Sequence, residues 1–216
     1  MYKAVIFDLD GTLADTVESI AYAMNKALEL YQLAPQPIES YKYFAGDGAD
    51  VLVKRALFAA GDTEGKFYEK AFKEYKAFFE KDCTYQVKPF DGIVTTLNQL
   101  KEKNIKIAVV SNKPHLRAVH VVEELFGKGF FDYIIGQIDG IPKKPDPTST
   151  FIAAKEMNVE TKECIYIGDT NVDMETGNAA GMLTVGVLWG FRTREELEKH
   201  NAHVIVENPE KILDIL

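Results

Sequence analysis

From Ile105 onward the sequence alternates short, almost uninterrupted apolar runs with stretches whose apolar residues recur at helical spacing. Few architectures accept that alternation. A short run with no polar member reads as a strand covered on both faces, and its repetition with helices between reads as parallel strands joined by crossovers. The pattern predicts strands at 105–110, 133–136, 164–168, 183–187 and 204–206, with helices near 114–126, 147–157, 171–180 and 194–200 and one after Pro209. Asp146 before Pro147 reads as a cap with proline at the first helical position, Thr193 with Glu196 as a capping box, and Gly181 as a helix stop. The run Ala4 to Phe7 adds a first strand. The expected fold class is therefore α/β, a doubly wound, Rossmann-like parallel sheet, which binds ligands beyond the carboxyl ends of its strands.

Between the first strand and Pro89 the pattern is helical throughout. Val17, Ile20, Met24, Ala27, Leu28 and Tyr31 predict a helix over 16–33, ended by the prolines at 35 and 37. A turn or two of helix over 38–44, a helix beyond Gly48 that stops at Gly61, and an aromatic helix through Phe67, Ala71, Phe72, Tyr75 and Phe78 follow. One helix suffices for a parallel crossover, so the rest are surplus to the connection. They are expected to form a helical cap domain over 15–82, inserted into a core domain of residues 1–14 and 83–216. The aromatic stripe serves the cap's own core.

The first strand runs straight into Asp8 and Asp10, with Gly11 at the turn. Strand residues two apart point to one side, so both carboxylates can project from the same end of the sheet. Two crowded acids repel unless neutralised, and a hard divalent cation with oxygen ligands does so. Ser111 and Asn112 follow the second long strand at a helix start, where anions bind readily. Lys144 stands before Pro145, and Asp169 and Asp173 are spaced so that a helix from about Asn171 brings their carboxylates together. The four histidines show no zinc-ligand spacing.

Asp8 to Leu13 resembles the first motif of the haloacid dehalogenase superfamily, Asp-x-Asp-Gly-Thr-Leu. Ser111 stands where that family has its second motif, Lys144-Pro145 with Pro147 resembles the third as the family's phosphatases carry it, and Gly168 to Asp173 resembles the fourth. Lys143 occupies a place where those phosphatases often have glycine. The resemblance covers essentially the whole chain and implies catalytic roles for Asp8 as phosphoryl-accepting nucleophile, Asp10 as general acid and base, and Lys144 as charge neutraliser. It implies Mg²⁺ as cofactor, held by Asp8, by Asp10 through its backbone carbonyl, and by Asp169 with Asp173 behind, and it implies phosphate binding by Thr12, Ser111 and Asn112. Residues 44–57 look like the cap segment of phosphoglycolate phosphatases, which implies 2-phosphoglycolate as substrate and Arg55, or else Lys54, as partner of its carboxylate. Asp47 departs from the Asn common there.

The net charge of −8 and a pI near 5.1 argue against a nucleic-acid or anionic-membrane surface. No run is long and apolar enough to span a membrane, and no signal-peptide pattern opens the chain, so cytoplasmic residence is expected. Cys83 and Cys164 imply no disulfide framework. The expected partner is a small phosphorylated metabolite, with no nucleic acid and no membrane, acted on by a monomer or homodimer. A pyrophosphatase and a β-phosphoglucomutase are alternatives on the same fold, and a phospho-accepting regulatory protein without turnover is the alternative of another class.

Overall fold

The structure is a computed structural model that describes residues 2–216. Its strands are β1 (Ala4–Phe7), β2 (Ala14–Asp15), β3 (Lys88–Pro89), β4 (Lys106–Pro114), β5 (Tyr133–Gln137), β6 (Cys164–Gly168), β7 (Leu183–Val187) and β8 (Val204–Val206). Six of them form one sheet of order β5-β4-β1-β6-β7-β8, parallel throughout, while β2 and β3 pair with each other. From β1 the chain winds outward to β4 and β5, then returns to β6 on the other side and continues to β7 and β8. The winding reverses at β1, so a crevice opens beyond its carboxyl end. The fold is α/β, a doubly wound parallel sheet with an inserted helical unit.

All four residues of β1 are fully buried, which is why the run carries no polar residue. Ala4 and Ile6 share a core cluster with Ala108 and Val110 of β4 and with Ala153 and Ala154 of helix α7 (Thr148–Glu156). Two compact units divide the chain: one is the chain up to Asp15 with Pro89–Leu216, the other Thr16–Lys88. The first unit also holds α5 (Ile93–Glu102), α6 (His115–Phe126), α8 (Asn171–Ala179), α9 (Arg194–Lys199) and a closing 3₁₀ helix, Pro209–Ile215.

The second unit is a small bundle of α1 (Val17–Glu29), α2 (Ile38–Phe44), α3 (Ala49–Ala59) and α4 (Tyr68–Asp82). In α4 the buried residues are Ala71, Tyr75 and Phe79, so Phe79 and not Phe78 closes the aromatic stripe. Tyr41 is fully buried and its hydroxyl donates to Asn25 Oδ1 at 2.6 Å. Helix α1 stops four residues before the predicted Leu33: Gln32 turns left-handed at φ 57° and the Leu33 amide folds back onto the Leu28 carbonyl at 3.1 Å.

Local hydrogen bonds explain the other boundary differences. The Ile105 amide caps α5 by donating to the Leu100 carbonyl at 3.0 Å, so β4 begins one residue later. Helix α7 begins at Thr148 and not at Pro147, with the Asp146 carboxylate accepting from the Thr148 amide at 2.9 Å. The reciprocal capping box belongs to Thr170 and Asp173 at the start of α8, whereas Thr193 accepts from the Glu196 amide at 3.4 Å.

Candidate active site

The site is built where the winding of the chain reverses, at the end of β1. The Asp8 amide still donates to the Ile167 carbonyl of β6 at 2.9 Å, holding the residue in line with β1. The chain then turns tightly, with the Leu13 and Ala14 amides both reaching the Leu9 carbonyl at 3.1 Å. Gly11 is required in that turn: its φ is +86°, and a Cβ would stand 2.3 Å from Asp169 Oδ2. Gly190 makes the same allowance from the loop after β7, where a Cβ would meet Asp169 Cβ at 2.3 Å.

Strand β4 supplies its residues through a bulge. Val110 pairs with Ile135 and Pro114 with Gln137, so four residue steps on β4 face only two on β5. Ser111, Asn112 and Lys113 fill the excess, and such bulges re-aim side chains at sheet ends. Gly136 makes room for it, because a Cβ there would lie 2.5 Å from the Lys113 carbonyl oxygen. Asn112 clamps the next loop through a reciprocal pair: its Nδ2 donates to the Lys144 carbonyl at 3.0 Å and its Oδ1 accepts from the Lys144 amide at 2.9 Å. Its amide therefore orients Lys144.

The Lys144 ammonium, with a side chain only 2% exposed, donates to Asp8 Oδ1 and Asp173 Oδ1 at 2.8 Å each and to the Val110 carbonyl at 3.1 Å. Asp173 Oδ2 accepts from the Thr170 amide at 3.0 Å and hydroxyl at 2.7 Å. Asp169 Oδ1 accepts from the Thr12 hydroxyl at 2.8 Å, and its Oδ2 from the Phe191 amide at 2.8 Å. The Thr12 hydroxyl proton is thus committed to Asp169. Asp10 is held by a second lysine: its Oδ1 accepts from Lys113 Nζ at 2.7 Å. Trp189 braces the turn by donating its indole N–H to the Thr12 carbonyl at 2.9 Å.

Burial pushes the Asp8 carboxyl up to about 7; the Lys144 ammonium pulls it back, while Asp173 and Asp10 push it further up. Burial, then Asp173 and Asp8, hold Asp169 well above the usual carboxylate range. Burial works against the Lys144 ammonium, but Asp173 and Asp8 outweigh it and keep it firmly charged. Ligand atoms of Asp8, Asp169 and Asp173 all lie within 4.8 Å of one another. With Asp10, four carboxylates stand against the ammonium groups of Lys144 and Lys113, so full ionisation of the acids would leave two negative charges in excess, which is why burial holds Asp8 and Asp169 toward their neutral forms when no cation is bound. Hard oxygen donors short of two positive charges fit a divalent cation such as Mg²⁺.

The structure therefore brings together Asp8, Lys144, Asp169, Asp173, Thr12, Asn112 and, through the bulge, Ser111. The Asp10 carboxylate lies beside them on Lys113 and outside the group of three acids. Arg55 belongs to the second unit, where its Nη1 meets Asp47 Oδ2 at 2.6 Å and donates to the Tyr43 and Phe44 carbonyls at 3.2 Å. Lys54 Nζ lies over the Tyr68 ring, 5.0 Å from its centre. Nothing in the sequence alone marks Lys113 as a site residue beyond its place two residues after Ser111 at a strand end.

A family model described as haloacid dehalogenase-like hydrolase matches residues 5–187. The chain is 32% identical to the phosphoglycolate phosphatase of Aquifex aeolicus, over 88% of this chain and 86% of that protein. It is 32% identical to the phosphoglycolate phosphatase of Neisseria meningitidis serogroup A, over 93% of this chain and 86% of that one. A crystal structure from Lactobacillus delbrueckii subsp. bulgaricus, named as a candidate phosphoglycolate phosphatase, matches with a TM-score of 0.92 and 35% identity over 99% of this chain and 98% of that one. Since the family model runs from Val5, within β1, to the end of β7, and so includes each strand end that carries an acid or lysine of the site, the chain belongs to the haloacid dehalogenase-like hydrolase family and is a phosphatase of that family.

Proposed function

We propose that the protein hydrolyses 2-phosphoglycolate, a small phosphorylated metabolite of the cytoplasm, through a phosphoryl group carried transiently on Asp8. The observation that supports this most is the Lys144 ammonium lodged between Asp8 and Asp173 at the mouth of β1, beside Asp169. In this reading Asp8, Asp169 and the Asp10 backbone carbonyl would hold Mg²⁺, with Asp173 behind them, and the bound cation supplies positive charge against the repulsion between carboxylate and phosphate. Asp8 uses Oδ1 for Lys144, leaving Oδ2 to attack phosphorus in line with the departing oxygen. The phosphorus–oxygen bond to the alcohol breaks as Asp10 gives its proton to the leaving oxygen, and Asp10 then takes a proton from the water that cleaves the acyl phosphate.

Ser111 Oγ accepts from the Lys113 amide at 3.2 Å, so its own hydroxyl hydrogen remains to donate to a phosphoryl oxygen. Thr12 acts on the phosphate indirectly, by fixing Asp169. The substrate assignment rests on the named relatives and on residues 44–57, with Arg55 as the partner of the substrate carboxylate. Because Asp47 already pairs with Arg55, the substrate has to compete with it.

The test is phosphate release by the purified protein with Mg²⁺ from 2-phosphoglycolate, other phosphate esters, sugar phosphates and pyrophosphate. Preferred turnover of 2-phosphoglycolate, abolished in Asp8→Asn, is expected. Preference for pyrophosphate overturns the substrate and keeps the chemistry, whereas a long-lived phosphoprotein without turnover overturns the enzyme reading.

A further inference from the structure

Two buried lysines of the first unit end on the two aspartates of the first motif. Lys144 meets Asp8, and Lys113 meets Asp10; both side chains are only 2% exposed. The mechanism above uses Lys144 and leaves Lys113 without a task. Withdrawing an ammonium group from water is costly, and a charge so placed is held by its partner and by a pinned backbone. Lys113 has both. Its amide donates to Ser111 Oγ at 3.2 Å, its carbonyl fits against Gly136 with no room for a Cβ, and its side chain crosses from β4 to the turn after the neighbouring β1.

Asp10 needs such a partner. It lies past the end of β1, on a turn, with its side chain 18% exposed, where a carboxylate has several rotamers open to it. Proton transfer to a leaving oxygen demands a donor placed within hydrogen-bond reach, so an unguided rotamer wastes the group.

We propose that Lys113 is a positioning residue: through its 2.7 Å contact it holds the Asp10 side chain in the one orientation from which the leaving oxygen of the substrate is within reach. The bulge in β4 is then the device that aims the acid, since it is what carries Lys113 to Asp10. The proposal rests on the reading of Asp10 as proton donor, and the experiment separates the two.

The experiment compares two esters that differ in how much their leaving group needs a proton: 2-phosphoglycolate, which departs as an alkoxide, and 4-nitrophenyl phosphate, which departs as a stabilised phenolate. Glycerol 3-phosphate serves as a second alkyl ester. The quantity read is kcat/KM, because it reports only the steps up to departure of the alcohol and excludes the later hydrolysis common to both esters. Wild type, Asp10→Asn, Lys113→Met and Lys113→Arg are measured with Mg²⁺ present. Lys113→Met is expected to lose about 10²-fold on the alkyl esters and less than about 5-fold on the nitrophenyl ester, with Lys113→Arg showing the same pattern at smaller amplitude. Should Lys113→Met not fold, Lys113→Arg, which keeps the charge but changes the reach, carries the ratio alone. Equal losses on both kinds of ester overturn the proposal, since a merely structural lysine, or one that binds phosphate, lowers both alike. If Asp10→Asn discriminates between the esters and the Lys113 variants do not, only this proposal fails; if Asp10→Asn also fails to discriminate, the proton-donor reading falls and takes the proposal with it.

Discussion

The proposed mechanism asks Asp8 to be two things that conflict: a nucleophile, which must be anionic, and a buried side chain among other acids, which favours the neutral form. Its carboxyl is pushed up from 3.8 to about 7, with burial the largest cause, and Asp169 is raised in the same direction. A group that holds its proton more tightly folded than unfolded costs stability as pH rises, beginning where the unfolded carboxyl ionises and ending where the folded one does. Lys144 stays charged across that window and adds no slope. Protein treated with EDTA should therefore lose melting temperature as pH rises from about 4 to about 7, and Mg²⁺ should restore it most at the upper end, where ionised carboxylates meet a cation. A melting temperature that is flat with pH, or unmoved by Mg²⁺, would contradict this account. The residues behind it were unevenly legible. Asp8, Lys144, Asp169 and Asp173 stand at motif positions and are legible in the sequence. Lys113 is not legible there, because a lysine is significant only when something removes it from water, and a bulge does not announce itself in apolar periodicity. The tasks of Thr12 and Asn112 were likewise invisible: each spends its polar atoms on another side chain or loop of the site, and such second partners depend on how distant strands meet.

At the scale of elements, continuous apolar runs located the strands well: β6, β7 and β8 span the residues the pattern predicts. Burial on both faces erases polar residues from a strand, and that erasure is readable. The extension of β4 to Pro114 was not, since Ser111, Asn112 and Lys113 look like a loop until the bulge returns Pro114 to register with Gln137. That bulge depends on a missing side chain. A methyl group at residue 136 would lie 2.5 Å from the Lys113 carbonyl and 2.7 Å from His115 Cα, and both obstacles are backbone. Gly136→Ala should cost about 1–3 kcal/mol by overpacking and should lower kcat/KM on 2-phosphoglycolate by displacing the Ser111–Lys113 segment. Thermal melting with kinetics on the folded variant checks both; full activity in a destabilised protein would separate the bulge from catalysis. The closing segment after Pro209 is a 3₁₀ helix, a distinction of one hydrogen-bond step that apolar spacing does not encode.

Across the whole molecule, the chain interrupts its sheet-bearing unit after Asp15 to make a helical one and resumes at Pro89. The surplus of helices before Pro89 made the insertion readable, whereas the pairing of Asp47 with Arg55 inside it was not. The substrate assignment carries a test at this scale, because it asks the inserted unit to choose the substrate. Arg55→Ala should raise KM more for 2-phosphoglycolate than for 4-nitrophenyl phosphate, and Asp47→Asn, by removing the competing anion, should lower KM for 2-phosphoglycolate about 2- to 5-fold, the range of a part-exposed ion pair. Equal shifts on both esters would remove Arg55 from the carboxylate role. The position of β1 has an effect of another kind, felt while the chain is being made. Its four residues leave the ribosome before either partner, for they pair on one side with Lys106 to Val109 and on the other with Cys164 to Ile167. At about 5–20 residues per second the second partner emerges roughly 8–30 s after the first strand. Until then β4 alone can lie against this wholly apolar strand and its other edge stays bare, so nascent chains truncated before residue 164 should recruit chaperones more than chains that extend past residue 168.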